Sequence, residues 1–213
     1  MNTAAKGTPR SAVVARKPQQ QRAKERVDAV LQEAEVLLIE GGLSGFSIPR
    51  LAERLDFPRA TIYKFFPTPW ALLNELAERQ LAALEAHLDA YADALREATD
   101  WRETVTRMVY AAAEFYGERP AAQVVLLTGF SDDSFRALEY TIARLGALTR
   151  SLLSERGIEV DDTAPNIPAL AVEFGTASFR MSYFLYGRMT PEYTQAAADV
   201  MLLFLEKRLN LAS

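Results

Sequence analysis

Apolar residues recur at helical spacing along most of the chain. The first stripe follows the spacing i, i+3, i+4, i+7, i+10 and i+11 and consists of Val27, Val30, Leu31, Ala34, Leu37 and Leu38. This spacing predicts an amphipathic helix that begins near Arg22. Gly41-Gly42 predicts its end, because glycine readily adopts the left-handed conformation that terminates helices. Residues 1–21 mix Pro, Gln, Ala and basic residues without periodicity, and we expect a disordered arm there.

Two short helical segments follow, joined by a tight turn. Ser47 is predicted to cap the first segment, which runs to residue 55. Asp56 occupies the turn, and aspartate is one of the few residues other than glycine that visit positive φ readily. Pro58 is predicted to open the second segment, which ends near Phe66. This arrangement is typical of a helix-turn-helix.

The apolar positions of these two segments agree with that interpretation. Ala52 is small enough for the two helices to cross closely. Five apolar positions are in register to form the core of the unit, namely Leu51, Leu55, Phe57, Ile62 and Phe65. A structural helical hairpin without function is the alternative, and the register of these positions favours a helix-turn-helix.

The rest of the chain is predicted to be helical as well. Helices are expected at about Trp70–Ala98, Trp101–Tyr116, Ala121–Gly129, Asp132–Arg156, Ile167–Arg188 and Pro191–Leu209. The run from Val124 to Leu127 is also compatible with a buried strand, but no partner strand is visible. The sequence therefore predicts an all-α protein, with a three-helix DNA-binding domain at residues 22–66 and a larger helical domain at residues 67–213.

Composition excludes several classes of site. The 213 residues contain no cysteine and a single histidine, which excludes disulfides, zinc-thiolate sites, iron–sulfur clusters and multi-histidine metal centres. No nucleophile–base pair, glycine-rich phosphate loop or metal cluster is present, so we expect no catalytic residue, no metal and no cofactor. The longest apolar run is far shorter than the ~18 residues of a membrane span. Because no signal-peptide core precedes residue 30, the cytoplasm is the expected compartment.

Charge is distributed unevenly along the chain. The first 70 residues hold 11 Lys and Arg against 7 Asp and Glu, whereas the remainder holds 13 against 21. A cationic first third on an anionic body predicts a polyanionic partner at one end of the molecule. A basic tail that is merely solvated is the alternative on charge alone.

The run from Ser47 to Pro67 resembles the helix-turn-helix of the TetR family of transcriptional regulators. The family signature is approximately T-x-x-x-I-A-x-x-x-G-V-S-x-G-x-[LI]-Y-x-[HY]-F, and the agreement is most specific at Ala52, at Thr61-Ile62-Tyr63 and at Phe66. The resemblance extends over about residues 22–73, and the remaining chain agrees with the family only in length and helical layout.

Three positions depart from the family pattern. Asp56 stands where the family usually has glycine, and Pro58 stands where a serine usually caps the recognition helix. Pro69 stands where a phosphate-binding lysine is common, which removes one contact to the DNA backbone. The resemblance implies a homodimeric DNA-binding regulator, most often a repressor that a small-molecule effector releases from its operator.

The second short helix carries the residues predicted to contact bases. Residues three or four apart share its exposed face, which assigns Arg59, Ala60, Thr61 and Lys64 to the major groove. Arg59 is the candidate for bidentate contact with guanine, and Ala60 or the Thr61 methyl group suits a thymine methyl. Lys64 contacts either a base or a phosphate.

Other residues are predicted to contact the DNA backbone. Tyr63 resembles the family tyrosine whose hydroxyl binds a phosphate, the alternative being a core tyrosine. Ser47 and the amides at the start of its helix suit a phosphate as well. The basic residues of the arm either add salt-sensitive affinity, for instance through the minor groove, or remain unengaged.

The last two helices carry apolar residues on more than one face, which predicts a partner on the side away from the core. The dimer-interface candidates are Phe184, Leu185, Met201, Phe204 and Leu205. This placement fits the two-fold four-helix interface that the resemblance implies, and an ordinary pair of core helices is the alternative.

The middle helices are rich in aromatic residues and are expected to form a ligand pocket. The candidates for its lining are Trp101, Tyr110, Glu114, Phe130, Phe174 and Arg180. Aromatic residues at helical spacing are also typical of an ordinary core, and Arg180 alternatively pairs across a dimer. Two other functional classes remain open at this point: an α-helical enzyme or small-molecule-binding protein with an incidental hairpin, and an adaptor that binds a protein partner.

Overall fold

A computed structural model describes residues 16–128, 132–161 and 163–211 of the chain. These residues form helices and no strand, so the predicted all-α class is confirmed. The helices are α1 (Arg16–Gly45), α2 (Ile48–Arg54), α3 (Arg59–Phe65), α4 (Pro69–Ala90), α5 (Ala92–Arg96), α6 (Trp101–Glu118), α7 (Pro120–Leu127), α8 (Asp132–Ser154), α9 (Ile167–Tyr186) and α10 (Pro191–Leu209). Within the described ranges, no helix is both long and apolar enough to span a membrane.

Helix α1 begins at Arg16, so the prediction that the disordered arm extends through residue 21 is wrong for residues 16–21. The segment is rich in Gln, Lys and Arg, which favour helix, and its proline falls in the first turn, where no hydrogen bond is lost. The Gln21 side chain also donates to Glu25 Oε1 at 3.1 Å, one helical turn away. At the other end, Gly42 adopts φ 59° and interrupts the helix, as the Gly-Gly pair predicts.

The single long helix predicted from Trp70 to Ala98 is divided into α4 and α5 at Tyr91. Tyr91 has ψ 1° instead of a helical value, and its N–H donates to the Leu88 carbonyl at 3.1 Å. Its hydroxyl donates to the carboxylate of Glu114 on α6. The break thus coincides with a tertiary contact, which helical periodicity in the local sequence does not reveal.

Helix α7 packs against α1 as well as against helices of the larger helical domain. Seven of its eight residues are buried, and it packs against α1 and α4 on the one hand and α6 and α9 on the other. Since the run at residues 124–127 is helical, the strand alternative is excluded. Helices α9 and α10 share the most extensive contact in the fold, and α8 packs against α9.

Gly146 sets the close approach of α8 to α9. A Cβ atom at this position would lie 2.7 Å from the Ala169 Cα, which is closer than real Cβ contacts allow. Gly117 in α6 offers a contrast, because a Cβ atom there would meet nothing within 4 Å.

We predict that Gly146→Ala lowers the free energy of unfolding, because the clash costs about 1–3 kcal/mol and exceeds the gain in helix propensity. Gly117→Ala is the matched control, and it should raise the free energy of unfolding by about 0.5–1 kcal/mol. Urea denaturation followed by circular dichroism measures both variants. An equal gain in stability for the two variants would contradict the close approach of α8 and α9.

Candidate nucleic-acid interface and ligand cavity

Ser47 caps helix α2, as the sequence predicts. Its Oγ atom accepts a hydrogen bond from the Arg50 N–H at 3.3 Å, and the side chain is half-buried. Ile48 and Leu51 are completely buried beneath the helix, and Ala52 is 4% exposed. The cap and these buried residues fix both the start and the inner face of α2.

Asp56 closes the turn between α2 and α3 in the left-handed conformation, with φ 52°. The N–H of the next residue, Phe57, donates to the Ala52 carbonyl at 2.9 Å and satisfies the end of α2. Aspartate tolerates this conformation better than most residues, so it substitutes for the glycine that the family usually has here.

Helix α3 separates its residues into an inner and an outer face. Ile62 is completely buried and anchors the helix. The predicted DNA-contacting residues on the outer face are exposed, namely Arg59, Ala60, Tyr63 and Lys64, whereas Thr61 is half-buried. Tyr63 is 42% exposed, which disfavours the alternative of a core tyrosine. The geometry of α3 thus leaves these four side chains accessible at the surface.

An ion-pair network that the sequence analysis missed holds α2 against α1. The Arg54 guanidinium lies 2.5 Å from Glu33 and 2.6 Å from Glu40, and the hydrogen bond to Glu40 is the largest of the effects that raise its pKa. Arg50 lies 3.9 Å from Glu40 and donates to the Gly45 carbonyl at 3.1 Å. The sequence pattern that could have predicted this network is the spacing of Glu33 and Glu40. They are seven residues apart, which places both on one face of α1.

Polar contacts also join α1 to α4. Arg79 Nη1 lies 3.0 Å from the Asp28 carboxylate, and Gln80 Nε2 donates to Glu35 Oε1 at 2.8 Å. Gln80 is only 7% exposed, so its contact lies in the packed junction between the helix-turn-helix and the larger helical domain.

An interior cavity of about 40 Å³ lies within the larger helical domain. It is lined by Leu84, Leu88, Met108, Val109, Ala112, Tyr116, Leu145, Thr149, Val172, Gly175, Thr176, Phe179, Ala197 and Met201. Of the residues predicted to line a pocket, the five that the structure describes, Trp101, Tyr110, Glu114, Phe174 and Arg180, are not among them, so the prediction is wrong for these five at this cavity. The reason is that helical spacing identifies inward-facing residues without distinguishing packed ones from those beside a void.

The predicted pocket residues lie elsewhere. Trp101 is 8% exposed and packed below the Arg102 guanidinium at 4.8 Å, and Phe174 packs edge-to-face on Phe204 at 4.8 Å. Tyr110 and Glu114 line an open cleft between α6 and the start of α10. Arg180 donates to the carbonyl at the end of α7, and Phe130 lies outside the described residues.

Tyr116 is the most polar large side chain beside the cavity. It is 3% exposed and packs edge-on against Phe179, with ring centroids 5.7 Å apart. Burial raises the pKa of Tyr116 strongly, and the positive charge of Arg180 opposes this only in part. The phenol is therefore protonated at physiological pH and can donate a hydrogen bond.

The candidates for a dimer interface fall into two groups. Phe184 and Leu185 are 58% and 56% exposed, and Phe204 is half-buried. Met201 and Leu205 are 3% and 0% exposed and lie in the core of their own chain, so their prediction as interface residues is wrong. They occupy the same inward face of α10 at i and i+4.

Two further apolar residues in this region are exposed, although they are not among the interface candidates. Leu203 on α10 is 68% exposed, and Tyr186 at the end of α9 is 58% exposed. The exposure of Leu203 is predictable from helical geometry. It lies midway between the buried Met201 and Leu205, and a helical residue at that spacing points away from the core. We refer to Phe184, Leu185, Tyr186 and Leu203 together as the apolar surface.

Comparisons with known proteins agree with this architecture. Residues 30–76 match the family model of the bacterial regulatory proteins of the tetR family. A TetR-family transcriptional regulator from Streptomyces coelicolor is 21% identical with a TM-score of 0.65, over 87% of this chain and 98% of that chain. PfmR, a TetR-family transcriptional regulator from Thermus thermophilus, is 24% identical with a TM-score of 0.56, over 83% of this chain and 97% of that chain.

A third solved structure is that of the multidrug binding protein EbrR complexed with imidazole. It is 19% identical to this chain with a TM-score of 0.62, over 84% of this chain and 89% of that chain. No curated protein matches the sequence. At these identities the structural likeness establishes the fold, and the family match is confined to residues 30–76. Residues 30–76 thus match the tetR family of bacterial regulatory proteins, and the described residues have the all-α fold of TetR-family regulators.

Proposed function

We propose that this protein is a homodimeric, sequence-specific DNA-binding transcriptional regulator, and specifically a repressor that a small-molecule effector releases from its operator. The observation that carries the proposal is the outer face of α3, where Arg59, Ala60, Tyr63 and Lys64 are exposed above the buried Ile62. The capped α2, the left-handed turn and the cationic first third of the chain support it. Residues 22–66 form the DNA-binding domain in this proposal, and residues 67–213 serve ligand binding and dimerisation.

In this proposal, α3 enters the major groove and its side chains divide into two roles. Arg59 reads a guanine through two parallel hydrogen bonds, while Ala60 or Thr61 meets a thymine methyl group. Tyr63 and Ser47 contact phosphates, which fixes the orientation of the domain without conferring sequence preference. Lys64 contributes to either role.

A dimer follows from the small number of base pairs that one helix-turn-helix can read. The apolar surface supports this step, because four large apolar side chains are exposed along the helix pair α9 and α10. A second copy of the chain would cover this surface by two-fold symmetry and would place two α3 helices in successive major grooves.

Effector release requires that a ligand prefer a conformation in which the two α3 helices no longer match the DNA. A tenfold loss of DNA affinity corresponds to only ~1.4 kcal/mol of differential binding. The contacts of Asp28 and Glu35 with α4 supply a mechanical link, because they couple any displacement of α4 to α1. Helix α7, packed against both α1 and α9, supplies a second link.

We predict that Arg59→Ala relaxes sequence preference at one position in each half-site and costs ~1–3 kcal/mol on the preferred operator. Tyr63→Phe should instead weaken binding to every sequence about equally, because a phosphate contact carries no base information. The measurement is fluorescence anisotropy with a selected operator and a panel of single-base variants. Arg96→Ala removes an exposed arginine far from α3 in sequence and is the control. Identical profiles for the Arg59 and Tyr63 variants would contradict these roles.

We predict that Leu185→Glu converts the dimer into a folded monomer of 23.7 kDa, because a carboxylate in the dimer contact would be desolvated without a partner. Ile39→Glu on α1 is the matched control, since Ile39 is similarly exposed at 54% and lies outside the apolar surface. Light scattering measures the mass, and circular dichroism verifies the fold. A monomeric wild-type protein, or a dimeric Leu185→Glu variant, would overturn the assignment of this interface.

A further inference from the structure

The beginning of α1 extends beyond the packed part of its domain. Of the described side chains of this helix, Val27 is the first that packs against the core, and we refer to residues 16–26 before it as the N-terminal extension. The exposed side chains of the extension are Gln20, Gln21, Arg22, Lys24, Glu25 and Arg26. At a rise of 1.5 Å per residue, the extension adds about 16 Å of helix. Packing in the core does not account for this part of α1.

The charged side chains of α1 divide into acids that have partners and cations that do not. Each acid of the helix has a hydrogen-bond or ion-pair partner, namely Glu25, Asp28, Glu33, Glu35 and Glu40. In the part of the chain that the structure describes, Arg22, Lys24 and Arg26 have no such partner. Asp28, the next acid along the helix, is committed to Arg79 on α4 at 3.0 Å. The extension therefore presents positive charge that the described residues leave unpaired.

This positive charge lies where it destabilises the helix. The extension holds five Lys and Arg against one acid, and the first turn of α1 contains no acid. Because the N-terminus of a helix is the positive end of its macrodipole, the cations of the first turn, Arg16 and Lys17, are unfavourable there. Arg22 and Arg26 share one face at i and i+4, where like charges repel. A polyanion beside the extension would offset both effects, since each cation would then face negative charge.

The composition and width of the extension indicate which polyanion it fits. Its apolar residues are Pro18 and Ala23, so it lacks the large apolar side chains that hold amphipathic helices in a membrane surface. An α-helix with its side chains is about 10–12 Å wide, whereas the DNA minor groove is about 6 Å wide. A helical extension thus cannot enter the minor groove as a disordered arm could. Since α3 occupies the major groove in the proposed complex, the cations of the extension suit backbone phosphates.

We propose that the N-terminal extension is a second DNA-contacting surface, on which Arg22, Lys24 and Arg26 bind backbone phosphates of the duplex that α3 reads. This inference rests on the proposed function and adds to it a source of affinity that carries no base preference. The extension holds the protein on the duplex by charge, and α3 distinguishes one sequence from another.

The test is a triple variant of the full-length protein that combines Arg22→Gln, Lys24→Gln and Arg26→Gln. Fluorescence anisotropy measures its binding to a selected operator and to an unrelated duplex between about 50 and 200 mM salt. Each lost phosphate contact should reduce the slope of log K against log salt concentration by about 0.9. For three contacts, this increase in salt should weaken wild-type binding roughly fortyfold more than it weakens binding of the variant. The reduction should be equal on the two duplexes.

The matched control replaces three exposed arginines outside the extension by glutamine, namely Arg96, Arg119 and Arg208. It changes the net charge of the protein by the same amount, and its slope should equal that of the wild-type protein. Glutamine is a good helix former, so the substitutions preserve helix propensity in both variants. Circular dichroism verifies that both variants fold.

Equal slopes for the wild-type protein and the triple variant would overturn the proposal, as would an equal reduction in the control. A loss of affinity confined to duplexes with A·T-rich flanks would also overturn it, because such a loss indicates contact in the minor groove. Vesicles that contain phosphatidylserine should not sediment the wild-type protein at about 150 mM salt. Sedimentation that the triple variant abolishes would contradict DNA as the partner of the extension.

The unrelated duplex separates this inference from the proposed function. A wild-type protein that binds the operator and the unrelated duplex equally would refute sequence-specific regulation, while a reduced slope of the triple variant on the unrelated duplex would still support the role of the extension. Conversely, equal slopes together with a clear preference for the operator would refute the role of the extension and leave the assignment of α3 intact.

Discussion

The burial of α7 is the constraint on which the rest of the fold depends. Apart from Gln123 this helix is apolar, and all of its residues from Ala121 to Leu127 are buried. A short helix of this kind cannot lie on a surface, so other helices must enclose it. The enclosing helices are α1, which precedes the helix-turn-helix, and α4, α6 and α9 of the larger helical domain. The burial of α7 therefore holds the helix-turn-helix and the larger helical domain together.

The helix-turn-helix itself was largely predictable because its determinants are local. The cap at Ser47, the turn at Asp56 and the inward position of Ile62 each depend on residues within a few positions in the sequence. Short-range hydrogen bonds and the helical period decide such features. The same is true of the helix ends at Gly42 and Gly187, where a left-handed backbone conformation suits glycine.

Features that depend on contacts between distant residues were not predictable. The break at Tyr91 involves a hydrogen bond to α6, and the clamp on α2 joins Arg54 to glutamates on α1. The cavity is a further example, because it arises where α4, α6, α8, α9 and α10 fail to fill the space between them. An apolar pattern reveals which side chains point inward, as for Met201 and Phe179, but not which of them meet a void. For this reason the residues expected in the pocket were misplaced, while the face of α3 that is predicted to contact DNA was exposed as expected.

Because one face of α3 is anchored and the other is exposed, the outer residues of this helix can change during evolution without loss of the fold. Ile62 supplies the packing that holds the helix, whereas Arg59, Ala60, Tyr63 and Lys64 contribute little to the core. Substitutions on an exposed helical face usually alter stability by less than about 0.5 kcal/mol. Mutations at the outer positions can thus accumulate without unfolding the domain. Duplicated copies of such a gene are free to diverge at the outer positions of α3 while they retain one scaffold.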